Sequence, residues 1–179
     1  MVSVSLDVNG SDVIVVAGKE SSESSSDELQ YPHGIFVNTY LDLYVADWGK
    51  NRIRLFLSGL KNGTTVAGEN LPSNLILNKP TDVVLDRDNY LFIVEMGQNR
   101  IIPAGLTDYQ CIAGCDGSSG STSQRLNAPE WIRFDNYGNF YVTDTRNSRV
   151  QKFTIMENAC SKFTRRKKNN FHIVSITFS

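Results

Sequence analysis

The chain has 179 residues, 40% of them hydrophobic, and a formal net charge of −1. That content suits a globular protein, and the near-zero charge excludes a dominant field of the kind that draws nucleic acid or anionic membrane to a whole surface. No apolar run approaches the ~18 residues of a membrane span, and the first residues, MVSVSLDVNGSDV, lack the basic start and apolar core of a secretion signal.

In chain order, the apolar run Val13–Val16 ends in Ala17-Gly18, the same Ala-Gly pair that recurs at Ala67-Gly68 and Ala113-Gly114. It reads as the terminal strand of a preceding or closing sheet, which sets 1–18 apart. An acidic, serine-rich segment, 19–30, follows as a solvated connection, with phosphorylation of its serines as the sharper alternative.

From Pro32 a pattern begins that returns at Pro80 and Pro129: two short apolar runs around a turn, then a carboxylate, a polar loop, and an Arg opening a third run. Pro to Arg spans 20 residues in each copy (Pro32/Arg52, Pro80/Arg100, Pro129/Arg149), and the copies start 48 and 49 residues apart. Aromatic and β-branched enrichment with Gly/Asn punctuation favours strands, and a fourth short run ends each copy, as in Thr64-Thr65-Val66. Four strands repeated at a period of roughly 50 residues is the pattern of propeller blades. The expected units are blade 1 at 19–68, blade 2 at 69–114 and blade 3 at 115–160, with 161–179 a divergent basic tail around Arg165-Arg166-Lys167-Lys168 and one stray strand within Phe171–Phe178.

Antiparallel order puts the second-to-third-strand loops on the same face as the segments joining blade to blade. Candidate partner-binding residues on that face are Trp48, Lys50, Met96, Gln98, Thr145 and Arg146. An exposed Trp is a hot-spot candidate, although Trp48 packed on its neighbours is an equal reading. The repeated pairs Asp47/Arg52, Glu95/Arg100 and Asp144/Arg149 read as structural ion pairs, because a catalytic site needs unlike groups converging once rather than one arrangement three times. The two His residues, His33 and His172, are too few for a multi-histidine metal centre, and no nucleophile-elbow, zinc-protease or phosphate-loop motif is present. The sequence therefore assigns no catalytic residue, metal or cofactor, and a Ca²⁺ site of carboxylates and carbonyls in the channel stays unassigned. Cys111 and Cys115 bracket Ile-Ala-Gly, where a turn at Gly114 brings them within bridging range. This leaves Cys160 free, and an oxidising, extracellular setting is slightly favoured over reduced core cysteines.

These residues, Tyr44-Val45-Ala46-Asp47 with Asn51-Arg52-Ile53 and their two later copies, resemble the NHL repeat over roughly residues 12–160. The chain departs from the pattern at Leu41, where a turn Gly is expected, at Glu95 (usually Asp) and at Ser148 (usually Asn). The resemblance implies an all-β fold: about three four-stranded blades, half of a six-bladed ring. It further implies a non-catalytic module that binds a protein partner through its loop-bearing face. Alternatives within the family are the substrate- or RNA-recognition propeller of a RING-type, TRIM-NHL-like ubiquitin ligase, and a fragment of a peptide-amidating lyase. The chain carries neither a RING cysteine set nor evident counterparts of the lyase's metal-binding histidines, and acidic residues near Lys50 and Arg146 weaken the RNA reading. An open arc should also leave apolar faces bare on blades 1 and 3, the latter around Trp131, Ile132, Phe134 and Tyr141, favouring either self-association, as of two arcs into one ring, or a partly unfolded chain.

Overall fold

A computed structural model describes residues 15–18, 28–68, 76–104, 111–155 and 173–178. Its strands are β1 (Pro32–Val37), β2 (Leu43–Asp47), β3 (Arg52–Phe56), β4 (Thr64–Gly68), β5 (Pro80–Leu85), β6 (Leu91–Glu95), β7 (Arg100–Ala104), β8 (Pro129–Phe134), β9 (Phe140–Asp144), β10 (Arg149–Ile155) and β11 (Ile173–Phe178). They form three antiparallel sheets in the orders β1-β2-β3-β4, β5-β6-β7 and β8-β9-β10-β11, hereafter blades 1, 2 and 3.

The first turn of every blade is held the same way. Asn38 Oδ1 accepts the N–H groups of Tyr40 and Asp42 at 2.9 and 2.8 Å. Asp86 Oδ1 does so for Asp88 and Tyr90, and Asp135 Oδ1 for Tyr137 and Asn139. This side-chain turn imposes a left-handed residue before the second strand: Leu41 at φ 65°, Asn89 at 63° and Gly138 at 83°. Leu41 therefore does not disrupt the first hairpin; it is carried in a strained conformation by the Asn38 side chain.

The blades stack face to face. Ala46, Ile53 and Ala67 of blade 1 pack on Val83, Leu91, Ile93 and Ile102 of blade 2. On its other side blade 2 presents Val84, Phe92, Val94 and Ile101 to Ile132, Phe140, Val142 and Phe153 of blade 3. Period-two alternation explains this: one set of each blade faces back, the next set forward, and only a sheet covered on both sides is apolar on both. Blade 2 meets that condition, with all five residues of β6 buried.

Three expectations need correction. Val15–Gly18 is not a strand, so the terminal strand expected there is absent among the described residues, and residues 13 and 14 lie outside them. Blade 2 lacks a fourth strand among the described residues; a single bridge between Ile101 and Ala113 takes its place. In blade 3 the fourth position is filled by β11, from the stretch read as a divergent tail, paired along β10 from Val150↔Phe178 to Ile155↔Ile173. Cys160 lies outside the described residues.

The bare face of blade 3 also differs from expectation. Ile132 is fully buried against blade 2, and Phe134 packs edge-on to Phe92 at 5.1 Å. What faces outward is Trp131, Arg133, Tyr141, Thr143, Val150 and Lys152. The Arg133 guanidinium lies 6.0 Å over the Trp131 ring and Lys152 Nζ lies 5.6 Å over Tyr141. Positions occupied by Phe36 and Ala46 in blade 1, and by Val84 and Val94 in blade 2, hold Arg133 and Thr143 here. The long cationic stems cover the rings and keep their charges in water, making this a solvent-tolerant end.

Candidate interaction face

The three second-to-third-strand connections are single 3-10 turns: Trp48–Lys50, Met96–Gln98 and Thr145–Asn147. Each closes on a left-handed residue, Asn51, Asn99 or Ser148, with φ of 49°, 50° and 52°. Each is also tied to the segment leading into its own blade: Gly49 N–H donates to Gln30 O, Gly97 N–H to Asn78 O, and Arg146 N–H to Asn127 O.

The repeated carboxylates supply the anchor. Asp47, Glu95 and Asp144 are fully buried. One oxygen of each accepts from the Arg five residues on: Arg52 Nε at 2.7 Å, Arg100 Nε at 2.5 Å and Arg149 Nε at 2.7 Å. The other oxygen accepts a backbone N–H from the lead-in segment, from Gln30 at 2.7 Å, Asn78 at 2.8 Å and Asn127 at 2.6 Å. The guanidinium of Arg149 goes on to donate to the carbonyls of Ser121, Thr122 and Arg125, and that of Arg52 to Glu28 O. Both charges are thus engaged in fixing two loops to one sheet end.

A second device runs between blades. Asn51 Oδ1 accepts Lys79 N–H at 2.7 Å, and Asn99 Oδ1 accepts Ala128 N–H at 2.9 Å. The left-handed Asn at the end of the first and second 3-10 turns therefore latches the start of the next blade. Nearer the inner strands, Asp82 Oδ2 accepts Ile132 N–H at 2.9 Å and pairs with Arg133 at 2.5 Å. Burial pushes the Asp82 carboxyl above its usual range, against the opposing pull of the Ile132 N–H and Arg133.

On this scaffold the candidate contact residues fall into two groups. Thr145 and Arg146 are exposed, whereas Trp48, Lys50, Met96 and Gln98 are half-buried. Lys50 Nζ donates to Glu28 O. Trp48 is the centre of a stack: the His33 ring lies parallel to it at 5.7 Å, Tyr31 meets it edge-on at 6.2 Å, and Lys79 Nζ sits 5.1 Å from its centroid. Tyr31, His33 and Lys79 were not marked as contact residues by the sequence; the available signal was their position flanking Pro32 and preceding Pro80, at the loop end of the inner strands. Cys111 and Cys115 are joined in a disulfide beside the Ala113 bridge. Among the described residues no three His, Cys, Asp or Glu side chains converge on a common point, and no helix is long and apolar enough to cross a membrane.

Sheets stacked on inner strands, with loops gathered at one end, make this chain an arc of β-propeller. Residues 126–153, covering most of blade 3, match the NHL repeat family. No curated protein matches the chain. Among solved structures it is similar to a putative gluconolactonase, at 16% identity, 79% of this chain, 48% of the other and TM-score 0.54. It is likewise similar to a catalytically inactive virginiamycin B lyase from Staphylococcus aureus bound to quinupristin, at 16% identity, 86% and 43% coverage and TM-score 0.52. A chain of the nidogen/laminin complex matches at 20% identity, 69% and 43% coverage and TM-score 0.52. The chain thus spans less than half the length of each of these structures, and at such identities the likeness establishes the fold alone.

Proposed function

We propose that this arc is a non-catalytic interaction module that binds a protein partner through its loop-bearing face. One observation carries the reading: three rigid 3-10 turns, built by the same carboxylate–Arg staple, present different side chains at equivalent positions. Trp48 with its Tyr31, His33 and Lys79 neighbours, Met96 and Gln98, and Thr145 and Arg146 vary on a frame that does not. A fixed scaffold with variable tips is the usual arrangement of a recognition surface. The recurring carboxylates and guanidinium groups are engaged in that frame, which favours binding over catalysis as the role of these turns. An RNA partner is disfavoured because Lys50 is engaged with the Glu28 carbonyl, leaving the face few outward cations.

A photo-crosslinking residue placed at Arg146 tests this, with one at Tyr137, which is 90% exposed at the opposite end of blade 3, as the comparison. A discrete protein adduct formed from position 146, lost when Trp48 or Thr145 is changed to Ala, supports the assignment. Equal adducts from both positions, or adducts indifferent to those changes, count against it.

A further inference from the structure

The back face of blade 1 is the arc's one bare apolar surface among the described residues. In blades 2 and 3 the equivalent faces, Val83, Leu91, Ile93 and Ile102, then Ile132, Phe140, Val142 and Phe153, are covered by the preceding sheet. Blade 1 has no preceding sheet among the described residues; Val45 and Phe56 of this face are buried, with Arg54 at the position of Ile102, while its rim stays open. Ile35 and Val37 are 54% and 51% exposed, and Leu57 and Leu60 are 49% and 56%. Together with Leu43 and Phe56 they line a groove of about 440 Å³, whose only charged lining residue is Lys61. Val15 and Val16, half-exposed themselves, form one wall of it.

Seven residues before Val15 ends a stretch with its own unspent pattern. Val2, Val4, Leu6 and Val8 alternate strictly with Ser3, Ser5 and Asp7. Such alternation marks a strand with one apolar and one polar side. A seven-residue strand is roughly 23 Å long at ~3.3 Å per residue, and the six-residue connection, 9–14, reaches about 20 Å, enough to turn back across the groove.

We propose that residues 2–8, which lie outside the described residues, dock on the back face of blade 1, laying Val2, Val4, Leu6 and Val8 into the Ile35–Val37–Leu57–Leu60 groove. Attachment through Val15 and Val16 makes this an intramolecular event, with an effective concentration in the millimolar range that a second copy does not reach in dilute solution. A second copy has a further disadvantage. Closing two arcs into a ring would bring Arg133, Thr143 and Lys152 of blade 3 against this apolar groove, a mismatch that strips cations of water for no partner.

Hydrogen exchange and light scattering on the full chain test this with three double variants: Val4→Asp/Leu6→Asp, the milder Val4→Ser/Leu6→Ser, and Ser3→Asp/Ser5→Asp on the polar side. The expected result is a monomeric parent in which peptides spanning Ile35–Val37 and Phe56–Lys61 exchange at least tenfold more slowly than in the first two variants, with the third unchanged. Identical exchange in all four proteins overturns the proposal. So does a dimeric parent that Ile35→Asp converts to monomer, since a second copy would then be the occupant.

Discussion

Asn99 Oδ1 accepts the backbone N–H of Ala128 at 2.9 Å, joining the end of one blade's turn to the start of the next. The same residue sits at φ 50°, so a single side chain both tolerates the left-handed backbone and latches the neighbouring sheet. The two roles separate by substitution. Asn99→Gly keeps the backbone and loses the latch, at a cost of about 1–2 kcal/mol for an amide left without its acceptor. Asn99→Ala loses both and should cost roughly 1 kcal/mol more. Urea denaturation of the two variants beside the parent measures the difference; equal stabilities for all three would remove the latch from the account.

Leu41 carries a φ of 65° where blade 3 uses Gly138 at 83°. Leu41→Gly relieves that backbone and offsets it by greater unfolded-state freedom, for a net gain of about 0.5–1 kcal/mol. Gly138→Leu should do the reverse, losing about 1–2 kcal/mol. Thermal melts show the opposite signs directly, and a destabilised Leu41→Gly would mean that the 69%-exposed Leu side chain is held by a contact.

Arg100→Ala leaves the fully buried Glu95 carboxylate without its guanidinium and should destabilise the fold by about 3 kcal/mol. Arg100→Lys keeps a cation but not the planar Nε geometry and should fall between. A loss under 1 kcal/mol for the alanine variant, measured in urea, would show that the backbone N–H of Asn78 alone suffices for Glu95.

Asp82 gives the fold a pH dependence of definite sign. Its carboxyl is raised in the folded state by burial, from an ordinary value of 3.8. Between the unfolded and folded values the native chain binds more protons, so this group's contribution to stability declines as pH rises through the folded value. Asp82→Asn keeps an acceptor for Ile132 N–H and cannot ionise. It should be more stable than the parent at neutral pH, with the gap closing as pH falls through the folded value toward 3.8. Urea midpoints for both proteins across pH 3–7 give the curve; a gap that widens toward acid would reverse the assigned cause.

The sequence by itself determined the blades, because their signals are local. Period-two apolar runs, turn residues such as Asn38, Asp86 and Asp135, and a carboxylate five residues before an Arg all act within one hairpin, so three copies in register reveal them without any contact map. It also located the loop-bearing face, since antiparallel strands alternate direction wherever they are placed. What only the tertiary structure decided depends on which sheet lies against which. Alternation does not say whether Ile132 or Trp131 faces a neighbour; packing buried the first and left the second beneath Arg133. Trp48 looks like an exposed anchor in a loop, and folding makes it the centre of a stack with His33, Tyr31 and, from the next blade, Lys79. The fourth strand of blade 3 comes from Ile173–Phe178 because β-pairing needs only an open edge and an apolar, β-branched partner, with no rule that the nearest segment must supply it.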